Sequence, residues 1–423
     1  MTKVERRVLV FAATTGYQVR SFGEAAARTG IEVVLATDRC HTLDDPWRDR
    51  AIPVRFHEDA ASLTAVADAA RARPFAGVLA VADRPVPLAA DAARVLGLPW
   101  HAPDAARASR NKRLARERWR RAGLPVPSFV PLAIDQDPAT IDVPLPCVVK
   151  PLVLSGSRGV IRADDRASFV QAFARVSRLL RSREVRALRE PEVDTVLVEQ
   201  YVPGDEYAVE GVLDRGRLRI LAMFDKPDPL VGPFFEETIY VTPSRAPAGR
   251  QRAIAAAIGS AARTLGLSHG PVHAECRVDG DRVWVLETAA RPIGGLCARA
   301  LRFTRAGEAI GLEELLLRHA AGESVESWTR EPLASGVMMV PVPAHGVLRR
   351  VDGLDDASAV AGVEEIRITA KPDQLLVPLP EGASYPGFIF ARAETPEAVE
   401  RALRGAHAGL RFVIDRPLPV SVA

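Results

Sequence analysis

Cysteine is scarce: the 423 residues contain four, Cys40, Cys147, Cys276 and Cys297, far apart and without a CxxC pair. That argues against a disulfide framework in a chain of this size. Its eight histidines show no HExxH or comparable zinc spacing. Neither sign of charge dominates, since the formal net charge is +3, so no global field draws the chain to nucleic acid or to a membrane surface. No run of about 18 apolar residues occurs, so no membrane-spanning helix is expected. The first apolar run, Val8 to Ala13, is too short for the core of a signal peptide and reads as a strand. The Walker A pattern GxxxxGK[ST], the GxSxG nucleophile elbow and the GxGxxG fingerprint are all absent. What is present has a globular profile, 48% apolar and 26% charged, enough for a sizeable core spread over about two to four domains. A cytoplasmic enzyme is the expectation.

Strand and helix patterns alternate through the first hundred residues. Arg7 to Ala13 reads as a strand, Val19 to Thr29 as a helix ending at Gly30, and Ile31 to Ala36 as a strand. A helix over Ala61 to Arg73 and a strand over Gly77 to Val81 follow. This βαβ rhythm predicts a small parallel sheet with helices on its faces. The turn Thr14-Thr15-Gly16 could hold an anion, although a plain structural turn explains it as well. Pro103 to Ala122 reads as one very basic helix ending at Gly123, after which Pro125 and Pro127 extend the chain.

From Pro146 a second region opens with the strand Cys147-Val148-Val149-Lys150 and a loop holding Gly156 and Gly159. A helix over about Arg166 to Arg183, strands Thr195 to Glu199 and Tyr207 to Leu213, and a hairpin into Arg217 to Phe224 come next. The last stretch alternates strands near Gly336 to Val342, Val363 to Ile368 and Gly387 to Ala391 with a helix at Pro396 to Ala408 capped by Thr395.

The most chemical part of the chain is a hairpin. Val272 to Val278 alternates small or apolar residues with polar ones, a strand with one polar face. Asp279-Gly280-Asp281 is a turn, and Arg282 to Glu287 is the returning strand. Register decides whether Glu275 and Glu287 meet, because a one-residue slip flips a face. A two-residue loop at Asp279-Gly280 places Glu287 on the opposite face. A three-residue loop places both acids on one face as diagonal neighbours, roughly 7–8 Å apart. Two such side chains can converge on one hard cation at about 2.0–2.1 Å for Mg²⁺. The plain alternative is a solvated hairpin with scattered acids. Arg291, four residues beyond Glu287, and the pair Gly294-Gly295, placed at the start of a helix, suit phosphate or acyl-phosphate charge.

Lys150 leads into Ser155-Gly156-Ser157-Arg158-Gly159-Val160, whose glycines and small hydroxyls let backbone N–H groups approach phosphate oxygens. An ordinary turn is the competing reading. Glu199-Gln200-Tyr201-Val202 ends a strand at a bend whose backbone can read an adenine edge, and Glu206 can accept from ribose hydroxyls, against the plain alternative of an ordinary loop with surface acids.

Taken in order, Lys112, Lys150, the loop Ser155 to Val160, Glu199 to Tyr207, Glu275, and Glu287 with Arg291 resemble the ATP-grasp superfamily, within it most nearly the L-amino acid ligases and related carboxylate–amine ligases. The resemblance covers about residues 1 to 320. It implies an α/β fold with α+β elements: a Rossmann-like domain over 1–102, an ATP-grasp domain over 103–330 with a central lid subdomain at about 146–224, and a small α+β domain over 331–423. It implies ATP and Mg²⁺ (or Mn²⁺) as cofactors. Lys112 and Lys150 would contact the phosphates under the lid Ser155, Gly156, Ser157 and Gly159. Glu199, Gln200, Tyr201 and Val202 would line the adenine pocket and Glu206 would hold the ribose. Glu275 and Glu287 would bind the metal, and Arg291 would stabilise an acyl phosphate. Many ATP-grasp enzymes carry Asn two residues past the second metal Glu; here Ala289 stands there, which puts a second ion in doubt and favours the amino acid ligase subgroup.

The implied reaction joins a small-molecule carboxylate to an amine, with ADP and phosphate released. Glu236 or Glu237 is a candidate for holding a substrate ammonium, Phe235 and Tyr240 for shaping an apolar pocket, and His273 for touching a substrate carboxylate, each against a purely structural alternative. Oligomeric state is open, with homodimers common among such ligases. One rival keeps the fold but activates bicarbonate or formate, as biotin carboxylases and purine-synthesis enzymes do. Another is a catalytically inactive nucleotide-binding regulator. Nucleic-acid binding through Arg107 to Arg121 is disfavoured by the interspersed acids.

Overall fold

The computed structural model describes residues 6–13, 18–38, 51–382 and 384–415; Thr14-Thr15-Gly16 and Cys40 lie outside them. The expected parallel sheet is formed by Ile52–Pro53, Glu32–Thr37, Arg7–Ala12 and Gly77–Val81, in that spatial order. Its inner strands are buried on both faces, as continuous runs such as Val8 to Ala12 require. Helix Val19–Thr29 ends where Gly30 turns left-handed at φ 64°.

Gly77 marks a close approach. A Cβ there would lie 1.9 Å from the Ala320 carbonyl oxygen at the end of helix Leu312–Ala320. Gly77→Ala must therefore push helix and sheet apart, and a loss of about 1–3 kcal/mol is expected in urea unfolding. An unchanged midpoint would show that this contact is soft.

The basic segment is two helices, Pro103–Arg110 and Lys112–Arg121, where one was expected. Asn111 is the cause: its backbone is extended and its side chain accepts from the Leu114 N–H, capping the second helix. Lys112 thus occupies the first turn of a new helix.

Strands expected in the lid region 146–224 divide between two sheets. Phe129–Ala133, Thr195–Gln200, Cys147–Pro151 and Ile161–Ala163 form a four-stranded antiparallel sheet. Helix Arg166–Arg181 covers it with Phe169, Phe173 and Val176. Asp205–Asp214 and Arg217–Asp225 belong instead to an eight-stranded antiparallel sheet that runs Arg282–Ala289, Gly270–Asp279, Asp205–Asp214, Arg217–Asp225, Ile239–Thr242, Ala334–Met339, Gly387–Ala393, Val363–Ile368. The last three strands come from the segment read as a separate C-terminal domain. Gly336 permits this continuity: a Cβ there would lie 2.7 Å from Val399 of the covering helix Pro396–Gly409. Thr395 caps that helix through the Ala398 N–H. Among the described residues no helix is long and apolar enough to cross a membrane.

Candidate active site

The hairpin register is neither of the two alternatives. The loop is the two-residue Gly280-Asp281, with Asp279 paired to Arg282. That loop alone would send Glu287 to the wrong face. A β-bulge corrects it: Cys276 pairs with Val285 but Glu275 pairs with Glu287, so Leu286 is the extra residue. Glu275 and Glu287 are directly opposed across the strands rather than diagonal. His273, Glu275 and Arg277 alternate along the polar face, beside Glu210, Ala208 and Glu206 of the neighbouring strand.

The bulge residue ties the hairpin to the lid sheet. Arg116, fully buried, donates to the Leu286 carbonyl at 2.8 Å and lies 2.8 Å from Glu199. Glu199 also pairs with Lys150. Burial opposes ionisation of Glu199, yet Arg116 and Lys150 hold its carboxyl below the ordinary value. The side chain expected at the adenine pocket is therefore engaged with two cations. Burial, aided by the Arg116 charge, lowers Lys150 to about 8 despite the Glu199 carboxylate. Lys112 reaches over the start of the glycine loop, donating to the Leu154 carbonyl at 3.0 Å.

Arg291 closes the other side. Its guanidinium grips Asp83 at 2.8 and 3.1 Å, donates to the Pro292 carbonyl at 3.1 Å, and lies 3.6 Å from Glu287. Asp83 follows strand Gly77–Val81; burial resists its charge, while Arg291, Arg110 and Lys112 hold its carboxyl down. The pair Gly294-Gly295 precedes only the four-residue 3₁₀ turn Cys297–Ala300. The expected α-helix is absent because Gly295 is left-handed at φ 60° and Leu296 is non-helical, so no helix N-terminus is offered to an anion there.

Lys226 stands among the carboxylates. Its ammonium is 2.7 Å from Glu206, 2.5 Å from Glu237 and 2.9 Å from Glu275. The Tyr240 hydroxyl donates to Glu237 at 2.9 Å and approaches Glu275 at 3.2 Å, so Tyr240 presents a polar group where an apolar wall was expected. Burial and the neighbouring Glu275 charge push the Glu237 carboxyl up to about 7. Glu275 is held well below the carboxylate range, Lys226 and His273 outweighing its burial. Glu236 lies outside this cluster and is raised by burial. His273 is wedged between Glu210 at 3.2 Å and Glu275 at 3.7 Å; burial disfavours its charge, but these carboxylates lift it to about 9.

Glu206 turns its second oxygen to Arg277 at 2.8 Å, and Arg277 donates to the Val202 carbonyl at 2.7 Å. Tyr201 lies between Arg162, 4.0 Å above its ring, and Phe235, stacked at 6.5 Å. Gln200 is exposed, with its N–H on the Ser128 carbonyl. In the loop Ser155 to Val160, Gly156, Ser157 and Gly159 take φ of 63°, 56° and 74°. The loop is clasped from outside: the Gly159 N–H donates to the Pro380 carbonyl at 2.8 Å and Arg158 to the Glu381 carbonyl at 2.8 Å.

One network thus runs from Lys150 through Glu199, Arg116 and the bulge to Glu287, Arg291 and Asp83, and through Glu275 to Lys226 and Glu206. Asp83, Arg116, Lys226 and Glu210 were not singled out from sequence. Only Lys226 carried a signal: like Lys150, it is a lysine at a strand end followed by proline.

Sequence comparison meets the same architecture. An ATP-grasp N-terminal domain matches residues 23–100 and an ATP-grasp domain residues 143–300. The chain belongs to the ATP-grasp superfamily. Members of this superfamily bind ATP and a divalent metal. An L-amino acid ligase C-terminal domain 2 matches residues 338–415 of this ATP-grasp chain. The crystal structure of L-amino acid ligase from Bacillus licheniformis superposes with a TM-score of 0.83 at 26% identity, covering 98% of this chain and all of that one. An uncharacterized protein of Sinorhizobium fredii, y4rH, is 25% identical across 97% of this chain and 84% of its own length. A D-alanine–D-alanine ligase of Aromatoleum aromaticum is 30% identical over 200 residues, 46% of this chain and 59% of the relative. The fold is a mixed α/β ATP-grasp fold of the L-amino acid ligase kind.

Proposed function

We propose that this chain is an ATP-dependent carboxylate–amine ligase that activates an amino acid carboxylate as an acyl phosphate and couples it to an amine. The observation that carries this reading is the bulged hairpin, which opposes Glu275 to Glu287, sets Glu287 3.6 Å from Arg291 and ties the bulge at Leu286 to the Lys150–Glu199–Arg116 chain. The likeness to L-amino acid ligase over the whole length supports it.

The donor set fits a hard divalent cation. The carboxylates of Glu275 and Glu287 are directly opposed across the strands, and the adjoining oxygens of Glu206, Glu237 and Glu275, within 4.8 Å of one another, are already held by the Lys226 ammonium. Glu275 and Glu287 would hold Mg²⁺, which supplies charge neutralisation for the phosphate oxygens. Lys112 and Lys150 add positive charge from the lid side. Three of the five Arg291 N–H donors go to Asp83 and Pro292, which leaves two for the anionic reacting centre. Gln200, Tyr201 and Val202 border the adenine and Glu206 the ribose. Ser155 to Gly159, held down by Pro380 and Glu381, excludes water from the activated acid. Glu236, Glu237, Tyr240, His273, Gly294 and Gly295 are the candidates for binding the two substrates.

The test is phosphate release over pairs of amino acids, with mass detection of the condensed product. Turnover requiring both a carboxylate and an amine supports the reading; turnover requiring bicarbonate and ignoring amino acids overturns it.

Lys150 carries a pH prediction. Its folded-state value of about 8 is below the ordinary 10.5, so its linkage contribution to stability is present above 10.5 and lost as pH falls through 8. Its ability to hold phosphate runs the other way, fading as the ammonium deprotonates above pH 8. ADP affinity of the free protein is expected to weaken between pH 8 and 10 by roughly tenfold, and Lys150→Arg to flatten that slope in calorimetric titrations. A slope unaltered in Lys150→Arg would remove Lys150 from the phosphate site.

A further inference from the structure

A second constellation lies at the opposite ends of the same strands. Asp214 ends strand Asp205–Asp214, His269 immediately precedes strand Gly270–Asp279, and His319 sits in the last turn of helix Leu312–Ala320. The Gly270–Leu213 pairing and the bond from the Gly216 N–H to the Ser268 carbonyl, 2.6 Å, bring the first two together. The close approach at Gly77 seats the helix end that carries the third. Along its strand, His269 is six residues from Glu275, roughly 20 Å, so this is not part of the ATP-binding face.

The geometry is that of converging donors. One ligand atom from each of Asp214, His269 and His319 lies within 4.8 Å of the others. His269 Nδ1 is 3.3 Å from an Asp214 oxygen, and the two imidazoles stack with centroids 4.3 Å apart. The decisive feature is His319. It is 4% exposed and neither of its ring nitrogens has a hydrogen-bond partner. Burying an imidazole with both nitrogens unpaired forfeits its hydration without replacing it, and a role in packing alone is served better by an apolar ring.

His101 shows what a satisfied histidine looks like in the same neighbourhood. Its Nδ1 accepts from the Ser268 N–H at 3.1 Å and its Nε2 is 3.4 Å from the Pro271 carbonyl, which fixes the backbone on both sides of His269. Burial keeps His319 neutral, pushed down to about 4, so its lone pair is available to a metal. Asp214 is largely exposed and opens the cluster to solvent.

We propose that Asp214, His269 and His319 bind a divalent transition metal, with two imidazoles, one carboxylate and a water, and that this ion fastens helix Leu312–Ala320 to the strand ends. Two nitrogens and one carboxylate suit Zn²⁺, at about 2.0–2.2 Å per ligand in a tetrahedral arrangement, and do not suit Mg²⁺. A cation there also faces the C-terminal end of the helix, where its dipole favours positive charge.

The full-length, metal-stripped protein is titrated with Zn²⁺ in excess Mg²⁺, which engages the hard carboxylate site, and followed by calorimetry and thermal unfolding. One Zn²⁺ per chain and a rise in Tm are expected. Asp214→Asn, at an exposed position that leaves the fold intact, and His319→Gln should each weaken Zn²⁺ at least tenfold, and Glu287→Gln should leave it unchanged. Substituting Co²⁺ should give the absorption of a tetrahedral site. Absence of a Zn²⁺ isotherm in the wild type, or unchanged affinity in Asp214→Asn, overturns the proposal. So does a His319→Phe protein that gains stability while Zn²⁺ leaves the wild-type Tm unmoved, because the histidine pair is then packing alone.

Discussion

Glu287→Gln is expected to fold as the wild type does and to lose roughly 10²–10³-fold in ATP turnover, the several kcal/mol that metal-centred charge stabilisation contributes to phosphoryl transfer. The substitution keeps the shape of the side chain and removes its charge. Structural damage should be small, since Glu287 is about a third exposed and its ionic contact with Arg291 is long, 3.6 Å. Unfolding free energy should stay within about 0.5 kcal/mol of wild type. That separation of readouts is what makes the variant informative. A protein with intact stability and intact turnover would leave the bulged hairpin as architecture only. The same loss accompanied by collapse of the fold would instead assign Glu287 a structural role.

Lys226→Met is expected to have the largest effect on stability. Its ammonium bonds to Glu206, Glu237 and Glu275, with its side chain 2% exposed. Removing one partner of a buried ionic cluster leaves uncompensated charge and costs about 3–5 kcal/mol. The Glu237 carboxyl, raised to about 7 even with the lysine present, takes up a proton more readily once the lysine is gone. Mg²⁺ should restore much of the loss, because a divalent ion on Glu275 and Glu287 adds positive charge beside the same carboxylates. Urea unfolding with and without Mg²⁺ measures both. If Mg²⁺ gives the variant no more stabilisation than it gives the wild type, the cage is structural and lies apart from the metal site.

Helix Val19–Thr29 and strand Gly77–Val81 follow from local periodicity and from glycine at a helix end. The helix starting at Pro396 follows from its Thr395 cap. The break at Asn111 was legible in principle, since asparagine before a basic amphipathic stretch is a capping signal. The bulge at Leu286 was not. A leucine between Val285 and Glu287 looks like any strand residue, and nothing local marks it as the one the partner strand leaves unpaired. An uncertain loop count placed Glu275 and Glu287 on one face as diagonal neighbours, and the structure opposes them directly by a different route.

The rest of the site depended on burial. Arg116 reads as one more arginine in a basic helix, Lys112–Arg121, yet it is fully enclosed and carries the hydrogen bond to the bulge. Strands Ala334–Met339 and Gly387–Ala393 read as a separate small domain because nothing local says which strand they pair with. Their union with Ile239–Thr242 extends the central sheet, and the loop at Pro380 and Glu381 meets the glycine loop. Arg175 reinforces that contact with a two-point pair to Glu381 at 2.5 and 2.8 Å.

The proposed function has this centre make an acyl phosphate from a carboxylate. Following ¹⁸O from a labelled carboxylate substrate tests it most directly. When an amine displaces phosphate from an acyl phosphate, one carboxylate oxygen leaves with the phosphate. The expected result is one ¹⁸O in the inorganic phosphate for each amide formed, with ADP as the other product, and the same ratio at a roughly 10²–10³-fold lower rate in Glu287→Gln. Unlabelled phosphate at full amide yield, or release of AMP with the label, would contradict it.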